Sequence, residues 1–77
     1  MYFKIVGEIS DVEVMAEGRG IRELAQLKSE FGGKNWKKKK GTATIELDDD
    51  AIHEAEIHWY EAHGVGKKKM KIKRLLD

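Results

Sequence analysis

Glu56, His58 and Tyr60 stand at alternate positions, and in an extended strand alternate residues share a face. That spacing stacks a carboxylate, an imidazole and a phenol in one row. With Lys71 on a neighbouring strand, the four side chains are the groups that metal-free RNA cleavage needs. A base takes the 2′-hydroxyl proton, an acid protonates the departing 5′-oxygen, and a cation stabilises the charge on the pentavalent phosphorane. The plainer reading of the same row is a solvated sheet face bearing amphipathic side chains. Glu56, His58, Tyr60 and Lys71 are the candidate catalytic residues.

The histidines invite a metal reading and fail it. His53, His58 and His63 are spaced by five. A zincin helix needs histidines four apart, and after His53-Glu54 the required position holds Ile57. On a strand, His53 and His63 face one way and His58 the other. No metal and no cofactor is expected.

The cations are the second feature. Lys+Arg 15 against Asp+Glu 14 gives a net charge of only +1, but the charge is segregated along the chain. It is −2 over residues 1–33, +5 over 34–41 and −7 over 42–66; residues 67–74 then bring +6, less Asp77. Lys34, Lys37, Lys38, Lys39 and Lys40 make one basic run, with Trp36 inside it. Lys67, Lys69, Lys71, Lys73 and Arg74 belong to the other. If the two runs meet in space they make a cationic surface for phosphates. If they do not, the second run pairs with the acidic segment across neighbouring strands and contributes solubility and register. Trp36 has two readings as well: a platform on which a base stacks, or a plug that closes the core after a helix.

Composition bounds the rest. Seventy-seven residues with no cysteine suit one domain over 1–77, without a disulfide framework or a cysteine zinc site. The apolar start Met1–Val6 is short and contains Lys4, so neither a signal peptide nor a spanning segment is expected, and a cytoplasmic location is.

These candidates need elements to hold them. Tyr2–Val6, bounded by Gly7, and the alternating Ile9–Met15 predict two strands. From Ile21 to Phe31 the period changes, with Ile21, Leu24, Ala25, Leu27 and Phe31 on one side of a helix that Gly32-Gly33 stops. Lys34–Gly41 reads as a basic loop. Thr42–Leu47 alternates as a strand, and Asp48-Asp49-Asp50 reads as its turn. Ile52–Ala62 has helix-like composition but strand-like alternation, with Ala55, Ile57 and Trp59 on one face; strand is preferred. Gly64-Val65-Gly66 turns the chain into Lys69–Lys73, with Met70 and Ile72 inward. The expected fold is α+β: a two-layer domain in the order ββαβββ, its antiparallel sheet covered on the apolar face by one helix.

The stretch Glu56-Ile57-His58-Trp59-Tyr60-Glu61-Ala62-His63-Gly64-Val65-Gly66-Lys67, followed by Lys71-Ile72-Lys73-Arg74, resembles the C-terminal part of small uncharacterised prokaryotic proteins. More loosely, the leucine-bearing helix, the Lys-Lys-Lys-Lys-Gly junction and the following strands are similar to RelE/HigB-like toxins over Ile21–Arg74. That resemblance implies a ribosome-associated mRNA endonuclease. The chain departs from it in having one helix where two are common and only three arginines (Arg19, Arg22 and Arg74). No catalytic residue carries over. The expected function is RNA binding, with toxin-like endoribonuclease activity as its extension. The alternative is a non-enzymatic interaction module that forms a homodimer or meets a charged protein partner.

Overall fold

The computed structural model describes residues 2–77. Strand β1 spans Phe3–Glu17; a 3-10 turn at Gly18–Gly20 leads to helix α1, Leu24–Phe31, and three further strands follow, β2 (Lys37–Leu47), β3 (Ile52–Ala62) and β4 (Gly66–Leu75). All four strands form one antiparallel sheet in the order β1-β2-β3-β4. The α+β class is as expected, but the element order is βαβββ.

Two strands were expected where one exists. Gly7 does not turn the chain; it sits inside β1 at φ +83, next to an irregular stretch of pairing between Val6 and Ser10. Further slips follow between Ser10 and Glu13 and between Val14 and Ala16. Such bulges bend a strand while letting its pairing continue, so a glycine that looks like a stop becomes a bend. The basic loop is the second correction. Lys37–Lys40 are paired on both sides, with the Glu13–Glu17 end of β1 and with the end of β3; of the expected basic loop only residues 34–36 remain as connection.

The helix is shorter than its periodicity. Ile21 is extended and Leu24 N–H bonds to its carbonyl at 3.2 Å, so the helix begins at Leu24. Gly32 ends it at φ +70 and ψ −142, a region open to glycine.

The helix also lies on the other face from the one expected. Leu27 packs with Ile21, Trp36, Tyr60 and Ala62, alongside Leu24, Phe31 and Val65. That cluster covers only the Tyr60 end of β3. Ala43, Ile45, Ala55, Ile57 and Trp59 form a separate core on the opposite face, with no helix residue in it. Ile45 and Ile57 are nevertheless fully buried, because the sheet curls over them. Phe3 of β1 lines the same hollow as Met70 and Ile72 of β4, although these strands are farthest apart in sheet order. A Cβ on Gly41 would lie 2.5 Å from Ile9 Cγ2 and 3.3 Å from Trp59. The bent β1 is therefore folded onto β2 over the Trp59 face.

Candidate nucleic-acid interface

Antiparallel register decides where the two lysine runs go. β3 lies between β2 and β4, so each residue of its C-terminal half has a partner on both sides. Tyr60 faces Lys38 on one side and Lys68 on the other; His58 lies between Lys40 and Lys71, and Glu61 between Lys37 and Lys67. The runs thus flank one strand, about two inter-strand spacings apart, or roughly 10 Å. The parity on β4 is set by a bulge between the His58 and Tyr60 pairings, where Lys69 has φ +54. The bulge puts Lys68 opposite Tyr60 and Lys71 opposite His58. Strict alternation passes over Lys68.

Many of these cations are already neutralised. Lys37 pairs with Glu17 at 3.7 Å and Lys40 with Glu13 at 3.6 Å, both acids on β1. Lys39 Nζ reaches Glu61 Oε2 at 3.0 Å, and Trp59 Nε1 donates to Glu61 Oε1 at 3.0 Å. Those two donors, Trp59 first, hold the Glu61 carboxyl below its ordinary value against the opposing effect of burial. Lys69 reaches Glu30 of α1 at 3.2 Å, and Arg74 reaches Glu56 at 3.1 Å. Among the described residues, Lys34, Lys38, Lys67, Lys68, Lys71 and Lys73 have no carboxylate within 4.0 Å. So the acidic segment takes only Arg74 from the second run, and Glu30 takes Lys69; four of its cations stay free.

Apolar packing presents two of the free lysines. Lys38 Nζ lies 5.8 Å from the Tyr60 ring centroid, and Lys68 Nζ lies 5.2 Å from that of Phe31. Each stem covers a ring while the ammonium remains at the surface. Lys38 also lines a hollow of about 410 Å³ with Met15, Arg22, Glu23 and Tyr60. Arg22, just before α1, is a second cation there.

The proposed catalytic row is assembled but closed. His58 is 5% exposed, and its Nε2 lies 2.6 Å from Glu56 Oε2. A carboxylate only accepts, so Nε2 carries the hydrogen of that bond. The other Glu56 oxygen takes Arg74 Nε at 3.2 Å. The hydrogen bond from His58, with Arg74 alongside, holds Glu56 below its ordinary value against the effect of burial. Tyr60 is 5% exposed and donates its hydroxyl to Glu23 Oε1 at 3.0 Å. Burial first, and then Glu23, push the phenol up. Lys71 is exposed at the neighbouring register position. Glu56, His58 and Tyr60 are engaged with one another, with Arg74 or with Glu23 just before α1, and burial closes His58 and Tyr60 to a phosphodiester.

Trp36 takes its core alternative. It is 1% exposed, packs beside Phe31 and donates Nε1–H to Gly32 O at 2.9 Å, so its ring offers no face to a base. The histidines lie apart in role: His53 bonds Asp77 at 3.1 Å, His58 bonds Glu56, and His63 is exposed in the β3–β4 turn. Among the described residues no three His, Cys, Asp or Glu side chains form a group that could hold a metal ion. None of their helices is long and apolar enough to cross a membrane. No protein-family model, curated protein or solved structure matches the chain.

Proposed function

We propose that this chain binds RNA through its phosphate backbone and does not cleave it. The observation that carries the reading is that the register puts Lys38, Lys68 and Lys71, none with a carboxylate partner, on one face beside β3. Cations held on a rigid sheet and left without carboxylate partners release counterions from a polyanion when they meet phosphates. Binding without cleavage follows from the commitment of Glu56, His58 and Tyr60 to internal hydrogen bonds. The surface has little for base readout, since Arg74 is held by Glu56 and lysines contact phosphates as point charges.

The test is fluorescence anisotropy of a labelled RNA as salt is raised, with the wild type and a Lys38→Ala/Lys68→Ala/Lys71→Ala variant. Removing three contacts should reduce the slope of log affinity against log salt by about 2 to 3. An unchanged slope in a folded variant would refute the assignment of these lysines.

A second reading has its own observation. Val12, Val14 and Met15 on the edge strand β1 are each nearly half exposed, and an exposed apolar edge invites pairing with another chain. Under that reading the protein is an interaction module, and its sedimentation coefficient rises with concentration in the absence of RNA.

A further inference from the structure

We propose that the hollow between Lys38 and the turn before α1 is a seat for a nucleoside monophosphate, either free or as the 5′-phosphate end of an RNA. The site shares Lys38 with the backbone-binding reading and otherwise stands apart from it.

Register builds the floor. Ala16 of β1 pairs with Lys38 of β2, and Lys38 pairs with Tyr60 of β3, so three neighbouring strands present one row of side chains on the helix face. Where β2 passes from Lys39 to Lys38, β1 passes from Val14 to Ala16, leaving Met15 as the extra residue of a bulge. Such a bulge re-aims a side chain, and Met15 lines the hollow, 45% exposed. The wall is the segment from Gly20 to Glu23. Ile21 packs with Tyr60, and the Tyr60 hydroxyl donates to Glu23 Oε1 at 3.0 Å, which fixes the wall over the floor. The space between them, about 410 Å³, falls within the roughly 300–1,000 Å³ of small-molecule sites.

Two cations line this hollow, Arg22 from the wall and Lys38 from the floor. Among the described residues neither has a carboxylate within 4.0 Å. The Lys38 ammonium is held over the Tyr60 ring, 5.8 Å from its centroid. Arginine presents a planar fork that takes phosphate oxygens in pairs, and lysine adds a point charge. A phosphomonoester carries about −1.5 to −2 at pH 7, which matches two cations. An internal phosphodiester carries a single negative charge.

The remaining lining suits a nucleoside rather than a bare phosphate. Met15 offers an adaptable apolar surface, and its thioether makes favourable contact with an aromatic ring. Glu23 commits Oε1 to Tyr60, leaving Oε2 to accept from a ribose hydroxyl or a base amino group. That bond offsets the repulsion between Glu23 and the anion, which inorganic phosphate would meet uncompensated.

The test titrates the full chain with adenosine monophosphate, adenosine and inorganic phosphate, following backbone amide shifts by NMR. The monophosphate should move the Ala16, Gly20 and Glu23 amides and bind about tenfold or more tighter than either part. Arg22→Ala and Lys38→Ala should each weaken it by about tenfold. Arg22 is exposed, and the amide spectrum of its variant reports directly that the fold is kept. Lys71→Ala, at the His58 register position outside the hollow, should leave the affinity unchanged. Anisotropy with one RNA bearing a 5′-phosphate or a 5′-hydroxyl separates the two sources. A preference for the phosphorylated end that Arg22→Ala abolishes assigns the RNA terminus; equal affinity assigns the free nucleotide. Adenosine monophosphate binding no tighter than adenosine or phosphate, or binding indifferent to Arg22→Ala, would overturn the site and leave the salt dependence of RNA binding standing. Loss of that salt dependence with the monophosphate still bound would overturn the backbone reading alone.

Discussion

Gly41→Ala tests the curl of the sheet, the feature that lets one face be buried without a helix. Gly41 is buried in β2, immediately after the four consecutive lysines Lys37–Lys40. A methyl group there would lie 2.5 Å from Ile9 Cγ2, 3.0 Å from the Ser10 carbonyl oxygen and 3.3 Å from Trp59. None of these neighbours is a free-swinging chain end: Ile9 and Ser10 belong to the bent part of β1 and Trp59 is core. Overpacking of this kind costs about 1–3 kcal/mol. Replacing glycine also removes freedom from the unfolded chain, which offsets about 0.4–1 kcal/mol. A net loss of about 1–2 kcal/mol corresponds to a fall in Tm of roughly 5–15 °C for a domain of this size. Thermal unfolding followed by circular dichroism reads it directly, with Gly64→Ala as a control whose methyl meets nothing within 4 Å but suffers a positive φ of +79. If Gly41→Ala leaves Tm unchanged or raises it, β1 does not fold over β2 as described.

Two further outcomes follow from the packing and the charges. Trp36→Ala should cost about 3–5 kcal/mol, a large share of the roughly 4–12 kcal/mol expected for a 77-residue fold; a fully native denaturation midpoint would show that Trp36 does not close the helix cluster. Acid should destabilise the protein through Glu56, Glu61 and Asp77, whose carboxyls are held below their ordinary values of 4.5, 4.5 and 3.8. Their contribution is present above those ordinary values and lost as the pH falls through the lower values of the folded state. Urea midpoints should therefore drop between pH 6 and pH 3, and Asp77→Asn should shrink the drop by removing the titrating carboxylate that accepts the Glu54 N–H and lies beside His53; equal midpoints at both pH values would contradict this.

What could be read from the sequence was what repeats at short range. Alternation in Ile52–Ala62 correctly separates Ala55, Ile57 and Trp59 from Glu56, His58 and Tyr60, because burial on both faces of β3 enforces period two. The helix is equally legible from Leu24, Leu27 and Phe31. What failed depends on partners distant in sequence. Four consecutive lysines have no alternation of their own, and Lys37–Lys40 become a strand because Glu13, Glu17 and Glu61 meet them in register. Gly7 reads as a turn because nothing local shows that pairing with β2 resumes at Ser10. The side on which the helix packs is likewise a tertiary choice. For the site, alternation placed Glu56, His58 and Tyr60 together but gave no sign that Glu23 and Arg74 would occupy them, and the Lys69 bulge hid Lys68.

The central claim is that Lys38, Lys68 and Lys71, left without carboxylate partners beside β3, form a phosphate-binding surface. The most direct measurement is the affinity of the wild-type protein for a labelled RNA between about 50 and 200 mM monovalent salt. With three contacts, affinity should fall about twenty- to fortyfold over that range. An affinity that does not change with salt, or no binding at the lowest salt, would contradict the account.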